Sequence, residues 1–499
     1  MELQFQKNAY DCLRRAVWEI KNEEQTQELK LPDSMPDVGK VLGAWGQVVM
    51  RGKEWRGNGM GISGGVMTWV LYAPEDGTEP RSLEGWIPFQ IRWDFPETQR
   101  DGAIITRCLL QAVDARAVSA RKLMVRSVLS CIGEALEPVR LDLFTPSEVP
   151  DDICLLQNKY PVCLPREAGE KTFVQEEELQ MNTSCENAQR LLCYTLQPEL
   201  IDKKVMADKI VFRGTSLLHG LCRCADGSVQ VFDFEIPFSQ YTDLEREYDP
   251  HASVDVSLAV TNMEVELLEN GKLQFKAGMV GQYTVYDNPI LEIVEDAYSP
   301  NRTVTLHTEQ LAIPAVLEQR QQTLQAAATM AAEGAQLLDV GTTMEHPLRR
   351  RREDQLQMEL PGTFQVLYYD AEGNLQSENV RWQQQWELPA DASVDFLSSA
   401  QPSGRPLATL DANSIQVRED ILLDTITVAN SGISMVTSLE LGEEIVPDPA
   451  RPSLILRNIG TDSLWDVAKE CGSTVAAIRQ ANSLTDEPES GSVLLIPVS

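Results

Sequence analysis

The sequence has few histidines and no cysteine spacing that is typical of a metal site. The 499 residues include four histidines, and none stands in the H-E-x-x-H pattern of a zinc protease. The ten cysteines include no C-x-x-C pair, whereas a structural zinc site needs two closely spaced pairs of ligands. The phosphate-binding pattern G-x-x-x-x-G-K-[ST] is also missing. We therefore predict no metal site, no cofactor and no catalytic residues.

Long apolar runs and basic residues are also in short supply. No stretch approaches the ~18 apolar residues of a membrane span, and the first twenty residues lack the apolar core of a signal peptide. The 43 Lys and Arg are outnumbered by 75 Asp and Glu, and a net charge of −32 repels nucleic acid and anionic lipid. Several cysteines lie among apolar residues, as is typical of reduced thiols. These features predict a cytoplasmic protein with no nucleic-acid partner and no direct membrane insertion.

One local exception to the acidic balance is a run of four arginines from Arg349 to Arg352, followed by Glu353 and Asp354. A run of like charges in a polar stretch is typical of a solvated loop. The same run would also suit docking on an acidic partner surface, whereas its acidic neighbours weaken a nucleic-acid reading. The sequence leaves the role of the run open.

The clearest positive feature is an internal repeat with an offset of 150 residues. The first copy contains "QTQELKLPDSMPDVGKVL" at 25–42 and the second contains "VQEEELQMNTSCENAQRLL" at 174–192. Asp76-Gly77 and Asp226-Gly227 stand at matching places, and "FQVLYYDAEGNLQ" at 364–376 belongs to a looser third copy. Asp-Gly dipeptides between β-branched and aromatic runs are typical of hairpin turns. We therefore predict a mainly β protein with some α, made of tandem small antiparallel β domains.

The predicted organisation has four parts. They are repeat 1 with an N-terminal helix (1–140), repeat 2 (153–300), a looser repeat 3 with a helical insert (301–445), and a separate C-terminal module (453–499). Segments rich in proline and acidic residues at 136–152 and 443–453 predict extended linkers between these parts.

Several short helices are expected inside the repeats. The segments that end at Leu42 and Leu192 are each read as a strand, a polar turn and a short helix. In the insert at 315–338, apolar residues lie near helical spacing and follow Pro314, so that this segment predicts one amphipathic helix. These residues are Leu317, Leu324, Ala328, Ala331 and Leu338.

The segment "GISGG" at 61–65 fits the G-x-S-x-G pattern that surrounds the nucleophile of many hydrolases. Such a nucleophile needs a helix directly after the serine, whereas residues 66–72 read as a strand. Ser63 also aligns with Arg213 of the second copy. A glycine-rich bulge or hairpin is therefore the preferred interpretation. His219 lies in an apolar strand, which favours a hydrogen-bonded core or edge histidine, although a triad assembled across the chain stays open.

The last 47 residues predict a compact unit of their own. The run "SLILRNI" reads as a strand, and "DSLWDVAKEC" reads as a helix with Ser463 and Asp466 at capping-box spacing. A second helix is predicted at 474–481, with Asn482 as a left-handed helix stop. The run "SVLLIPV" then completes a β-α-α-β order with both helices on one face of the sheet.

This unit resembles the LysM domain through "TDSLWDVA", "VAAIRQAN" and "GSVLLIP". The sequence departs from the family pattern at Thr461, where a glycine is usual, although Gly460 stands directly before it. The resemblance implies binding of N-acetylglucosamine glycans such as peptidoglycan in a shallow groove between two loops. By position, the groove residues are Thr461, Asp462, Ser463 and Leu464 in one loop and Asn482, Ser483, Leu484 and Thr485 in the other. Trp465 is read either as a partner contact or as a cover for the small core.

The repeats resemble the SPOCS domain of endospore-forming bacteria through "QELKLPDSMPDVGKVL", "VLYAPEDG", "VLYYDAEG", "SARKLMVRSVL" and "EDAYSPNRTVTL". SPOCS copies followed by one LysM imply a non-enzymatic spore-coat assembly protein. The expected place is the mother-cell cytoplasm at the forespore surface, with the LysM domain docked on a coat morphogenetic ATPase. Two alternatives are a cell-wall protein that binds peptidoglycan and a wall hydrolase that uses the LysM domain for targeting.

Overall fold

The structure is a computed structural model. It describes residues 2–3, 5–95, 101–146, 149–352, 355–388, 394–411, 413–429, 432–446, 452–486 and 488–498. These residues form mainly antiparallel β strands, and two α-helices lie near the C-terminus. The predicted fold class, tandem antiparallel β units followed by a β-α-α-β module, is confirmed.

The first copy of the repeat contains two three-stranded sheets, ordered β2-β7-β6 and β3-β4-β5. The strands in chain order are β1 (Glu2–Leu3), β2 (Phe5–Lys30), β3 (Val38–Arg56), β4 (Gly59–Pro74), β5 (Arg81–Asp94), β6 (Ala103–Ser119) and β7 (Lys122–Pro146). In β5, alternate side chains point into the core, so that Ile87, Phe89, Ile91 and Trp93 are buried. This period of two is the one that a strand with one buried face requires.

The second copy repeats this plan, with sheets β9-β14-β13 and β10-β11-β12. Its elements are β8 (Cys154–Pro161), β9 (Leu164–Gln180), β10 (Ala188–Met206), β11 (Lys209–Cys224), β12 (Val229–Asp243), β13 (Ser253–Leu267), a 3₁₀ turn (Glu269–Gly271), β14 (Lys272–Asp287) and β15 (Ile290–Tyr298). Strands β10, β11, β13 and β14 begin 150 residues after β3, β4, β6 and β7. The predicted tandem repeat is confirmed.

The third copy differs in one strand. Its elements are β16 (Arg302–Ala312), β17 (Val316–Ala331), β18 (Gln336–Met344), β19 (Leu348–Arg352), β20 (Gln355–Tyr369), β21 (Leu375–Leu388), β22 (Val394–Leu410), β23 (Ser414–Ala429) and β24 (Gly432–Glu444). One sheet is β17-β23-β22, and in the other β20 pairs with β18, β19 and β21. The counterpart of β3 is split into β18 and β19 around the buried residues His346 and Pro347.

The prediction of helices inside the repeats is wrong. The N-terminal segment of repeat 1 is strand β2, and the segments ending at Leu42 and Leu192 lie in strands β3 and β10. The insert at 315–338 forms β17 and the start of β18. Residues four apart share a face in a strand as well as in a helix, so the pair Leu324 and Ala328 does not distinguish the two structures.

The predicted linker at 136–152 is also mostly strand. Residues 136–146 of β7 pair with residues 5–15 of β2, which extends the first copy as a two-stranded ribbon. Strands β8 and β15 extend the second copy in the same way, and β16 and β24 extend the third, with β1 added on the other edge of β24. We call these three ribbons the extensions. They pack together around Cys12, Leu141, Leu291, Ile293 and Met435.

The C-terminal module consists of β25 (Leu454–Asn458), α1 (Leu464–Cys471), α2 (Val475–Asn482) and β26 (Val493–Pro497). Its core contains Leu464, Val467, Ile478 and Ile496, together with Tyr298 from the extension of the second copy. Of the predicted linker at 443–453, residues 447–451 lie outside the described residues. The core of the second copy includes Trp45 and Leu367 of its neighbours, so the domain boundaries stay predictions.

Candidate binding surface of the C-terminal module

The first predicted groove loop combines exposed and structural residues. The positive φ of 54° falls on Gly460, so the glycine missing at position 461 is supplied one residue earlier. Ser463 is the N-cap of α1, and its Oγ accepts a hydrogen bond from the Asp466 backbone N–H at 3.1 Å. Leu464 is buried in the module core. Thr461 and Asp462 are exposed, and Asp462 pairs with Arg457 at 2.9 Å.

The second predicted loop is more structural than its position suggests. The side chain of Asn482 accepts a hydrogen bond from the Leu495 N–H at 2.8 Å and donates to the Leu495 carbonyl at 2.6 Å. Asn482 therefore ties the end of α2 to β26. The left-handed residue after α2 is Ser483, with a φ of 53°, and not Asn482 as predicted. Leu484 packs against the core, whereas Thr485 is exposed.

The first loop is fastened to a turn that the prediction did not include. The Gly460 carbonyl accepts hydrogen bonds from the Gly491 N–H at 3.2 Å and the Ser490 hydroxyl at 2.7 Å. Of the nine predicted site residues, Thr461, Asp462 and Thr485 are exposed without a role in the core or in a helix cap. These three have the accessibility that contact with a glycan or a protein requires.

Trp465 contacts another part of the chain. Its indole Nε1–H donates to Asp296 Oδ2 at 2.8 Å, and its ring lies 4.8 Å from the Tyr298 ring in an edge-on arrangement. The Lys469 ammonium lies 2.7 Å from both oxygens of Asp296. The Tyr298 hydroxyl donates to the Ser473 carbonyl at 2.9 Å, and burial raises the pKa of Tyr298. The second copy thus holds the module through α1.

Sequence reasoning missed Asp296 and Tyr298. They lie more than 160 residues before α1, in an extension strand whose local pattern resembles those of other strands. The one usable signal was the position of Trp465 beside the main apolar stripe of α1, which indicated a contact outside the small core.

The GISGG segment is part of a continuous strand. Strand β4 runs through Ser63 to Pro74, so the helix that a nucleophile elbow requires does not follow. The register slips between Met50 and Gly52 of β3, opposite Ser63 and Gly64, so the extra residue lies in β3. The glycine-rich segment itself is regular strand, and the bulge predicted in it is wrong. A Cβ on Gly65 would lie 2.2 Å from Trp86, so the glycine permits close packing of the indole ring.

His219 belongs to a partly buried cluster between the second and third copies. Its Nδ1 lies 2.8 Å from Asp233 and its Nε2 lies 3.0 Å from Asp339, so neither ring nitrogen is left to activate a nucleophile. Arg405 contacts Asp233, His219 and Asp339. Burial disfavours the charge on His219, but Asp339 and Asp233 outweigh it and raise the pKa of His219. This pattern is the predicted hydrogen-bonded core histidine.

The arginine run lies in strand β19 and not in a loop. Arg349 contacts Asp395 at 2.5 Å, and Arg350 lies 3.5 Å from Glu359. Both pairs link the run to neighbouring parts of the third copy. The side chain of Arg352 and residues 353–354 lie outside the described residues.

Comparisons with known families support both resemblances. Residues 187–268, which span β10 to β13 of the second copy, match the family model described as SipL, SPOCS domain. Residues 461–497 match the LysM domain. Neither matched model is that of an enzyme. No curated protein and no solved structure matches the chain. In the described part of the chain, no helix is long and apolar enough to cross a membrane.

Proposed function

We propose that this chain, which carries a SPOCS domain and a C-terminal LysM domain, is a non-enzymatic assembly protein of the spore coat. Its LysM domain docks on a coat morphogenetic ATPase, and its site of action is the forespore surface in the mother-cell cytoplasm. The observation that carries this proposal is the combination of a SPOCS match inside a tandem repeat with a LysM match in a separate module at the end of that repeat.

The architecture suits assembly better than catalysis. Three similar β units share core residues and pack through their extensions, which makes a stable scaffold with a large outer surface. The net charge of −32 favours partners with basic surfaces and opposes close approach of a second copy. The module at the end of the scaffold presents Thr461, Asp462 and Thr485 to solvent.

A pull-down of the coat ATPase from sporulating cells tests the docking step. We expect the full chain to retain the ATPase and a chain ending at Pro452 to lose it. Within the full chain, the double change Thr461→Arg and Thr485→Arg should weaken retention at least tenfold. Leu407→Arg adds a charge at an exposed site on the third copy and serves as the matched control. Retention of the ATPase by the truncated chain would contradict the proposal.

The alternative function is binding of peptidoglycan by the LysM domain, which the family match and the exposed loop residues favour. Co-sedimentation with insoluble peptidoglycan compares the full chain with the chain ending at Pro452. Sedimentation that the truncation and the Thr461→Arg and Thr485→Arg changes abolish would favour the glycan function. Equal recovery of all variants in the supernatant would exclude it.

A further inference from the structure

The outer face of α1 is covered by an extended segment of the same chain. Asp296 and Tyr298 are two residues apart in β15, so their side chains share one face of the strand. The Asp296 carboxylate accepts from Trp465 Nε1 at 2.8 Å and from Lys469 Nζ at 2.7 Å. The Tyr298 side chain meets the Trp465 ring edge-on and donates to the Ser473 carbonyl.

These contacts define what the face of α1 recognises. An indole N–H and an ammonium group converge on one point, and both require an acceptor, which a carboxylate meets with charge-assisted hydrogen bonds. An aromatic side chain two residues further along the strand fills the space beside Trp465 and reaches the Ser473 carbonyl. The face therefore selects an extended Asp-x-Tyr pattern through charge, ring packing and one hydrogen bond.

Solvent reaches the polar part of the joint between the module and the second copy. The Lys469 side chain is 43% exposed and that of Asp296 is 23% exposed, so solvent reaches the ion pair and limits its strength. Interfaces between domains of one chain allow relative motion unless they are large and hydrophobic. The apolar part of this joint is the buried Tyr298 ring, which opening would expose. A tethered segment competes for the face at an effective concentration in the millimolar range.

We propose that Trp465, Lys469 and the Ser473 carbonyl form a recognition surface for an extended acidic–aromatic segment, which this chain occupies with its own Asp296 and Tyr298. A partner protein binds this surface by presenting a carboxylate followed two positions later by an aromatic ring, and it displaces the internal segment. The inference rests on the proposed function in one respect, namely that the module docks on a partner protein. It adds the chemistry of the docking segment and a competitor built into the chain.

The direct test uses the full chain and a synthetic peptide, LEIVEDAYS, which copies residues 291–299. The indole N–H resonance of Trp465 is followed in protein with ¹⁵N-labelled tryptophan and is assigned with Trp465→Phe. In Asp296→Ala, the peptide should shift this resonance at least tenfold more strongly, at equal concentration, than in the unchanged chain, because the internal competitor is weakened. Glu292→Ala is the control, since this exposed carboxylate on the same strand pairs with Lys159 and not with α1.

A second peptide, LEIVEAAYS, lacks the aspartate and should leave the resonance unchanged. The inference is overturned if both peptides give equal shifts, if neither shifts the resonance at millimolar concentration, or if Asp296→Ala leaves the free resonance where it was. Hydrogen exchange in strands β10 to β13 should be the same in all variants, which shows that the second copy stays folded.

The ATPase pull-down separates this inference from the proposed function. If the module docks on the ATPase through this face, Asp296→Ala should raise retention on the order of tenfold and Glu292→Ala should leave it unchanged. Absence of ATPase binding by every variant contradicts the proposed function, while the peptide experiment still decides the inference. If the protein binds the peptide but Asp296→Ala does not change retention of the ATPase, the ATPase binds another surface. That result would overturn the inference that a partner competes with the internal segment for this face.

Discussion

Gly65 shows how a pattern associated with catalytic serines can arise from packing. The indole ring of Trp86 occupies the space where a Cβ on Gly65 would lie. The third copy has the same relation, since a Cβ on Gly362 would lie 2.1 Å from Trp382. At the scale of single residues, the glycine at the fifth position of this motif is required by the Trp86 ring that lies over the strand. Ser63 is incidental to this packing.

We expect Gly65→Ala to lower the free energy of unfolding by about 1–3 kcal/mol, because the added methyl group forces the Trp86 ring to move. Ser63→Ala is the matched change two residues away and should stay within about 0.5 kcal/mol of the unchanged chain. Urea unfolding followed by tryptophan fluorescence measures both. A larger loss for Ser63→Ala than for Gly65→Ala would contradict the packing explanation.

At the scale of an element, strand β17 shows how packing and strand pairing determine whether a segment is helix or strand. Its buried residues are Val316, Ala326 and Met330, and the odd-numbered positions Ala327 and Thr329 between the last two are exposed. Leu317, which a helical reading places on the apolar face, is 57% exposed. Residues 414–429 of β23 supply the backbone partners on one edge, and that pairing with a strand nearly 100 residues away keeps the segment extended. An alanine-rich segment such as this one is extended where a neighbouring strand can hydrogen-bond to its backbone N–H and C=O groups.

The alternation in β17 predicts opposite outcomes for adjacent alanines. Ala326→Glu places an unpaired carboxylate in the core of the third copy and should destabilise it by roughly 3–5 kcal/mol. Ala327→Glu adds the same group on the exposed face and should cost less than about 0.5 kcal/mol. Hydrogen exchange of strands β17 and β23 compares the two variants. Equal protection in both would show that β17 does not have the alternation described.

At the scale of the whole molecule, buried titratable groups lie where the three copies meet. A cavity of about 280 Å³ is lined by all three copies, and Glu419 is 4% exposed in its wall. Burial raises the pKa of Glu419 to about 7, and the nearby groups Thr342 and Arg405 only partly oppose this. His346, which is fully buried where β18 gives way to β19, has its pKa lowered to about 3 by burial, so it is a neutral ring between the first and third copies, where its Nε2 lies 3.0 Å from the Arg107 carbonyl.

The raised pKa of Glu419 predicts a stability that falls as the pH rises. The folded state holds the proton more tightly than the unfolded state, so the stabilising effect is complete below about pH 4.5 and is lost as the pH approaches about 7. The total change attributable to Glu419 is on the order of 3 kcal/mol. Glu419→Gln keeps the shape and removes the titration, so the difference between the two chains in urea unfolding should shrink by this amount at low pH. A difference that stays constant between pH 5 and pH 8 would contradict the assignment.

The sequence by itself determined the features that depend on residues close together in the chain. The Asp-Gly turns, the caps of α1 and the order of the C-terminal module follow from side chains within a few positions of one another. The 150-residue offset was visible because two such local patterns recur along the chain. Local hydrogen bonds and turn conformations act over this same short range, which is why the patterns predict them.

Tertiary structure decided whether ambiguous segments became helix or strand, and which groups meet across the chain. A spacing of four residues fits both periods, so the pairing of β17 with β23 settled its structure. The contacts of Trp465 with Asp296 and of His219 with Asp339 join residues 169 and 120 positions apart. Such contacts depend on how three similar units pack around one another, and no single stretch of sequence contains that information.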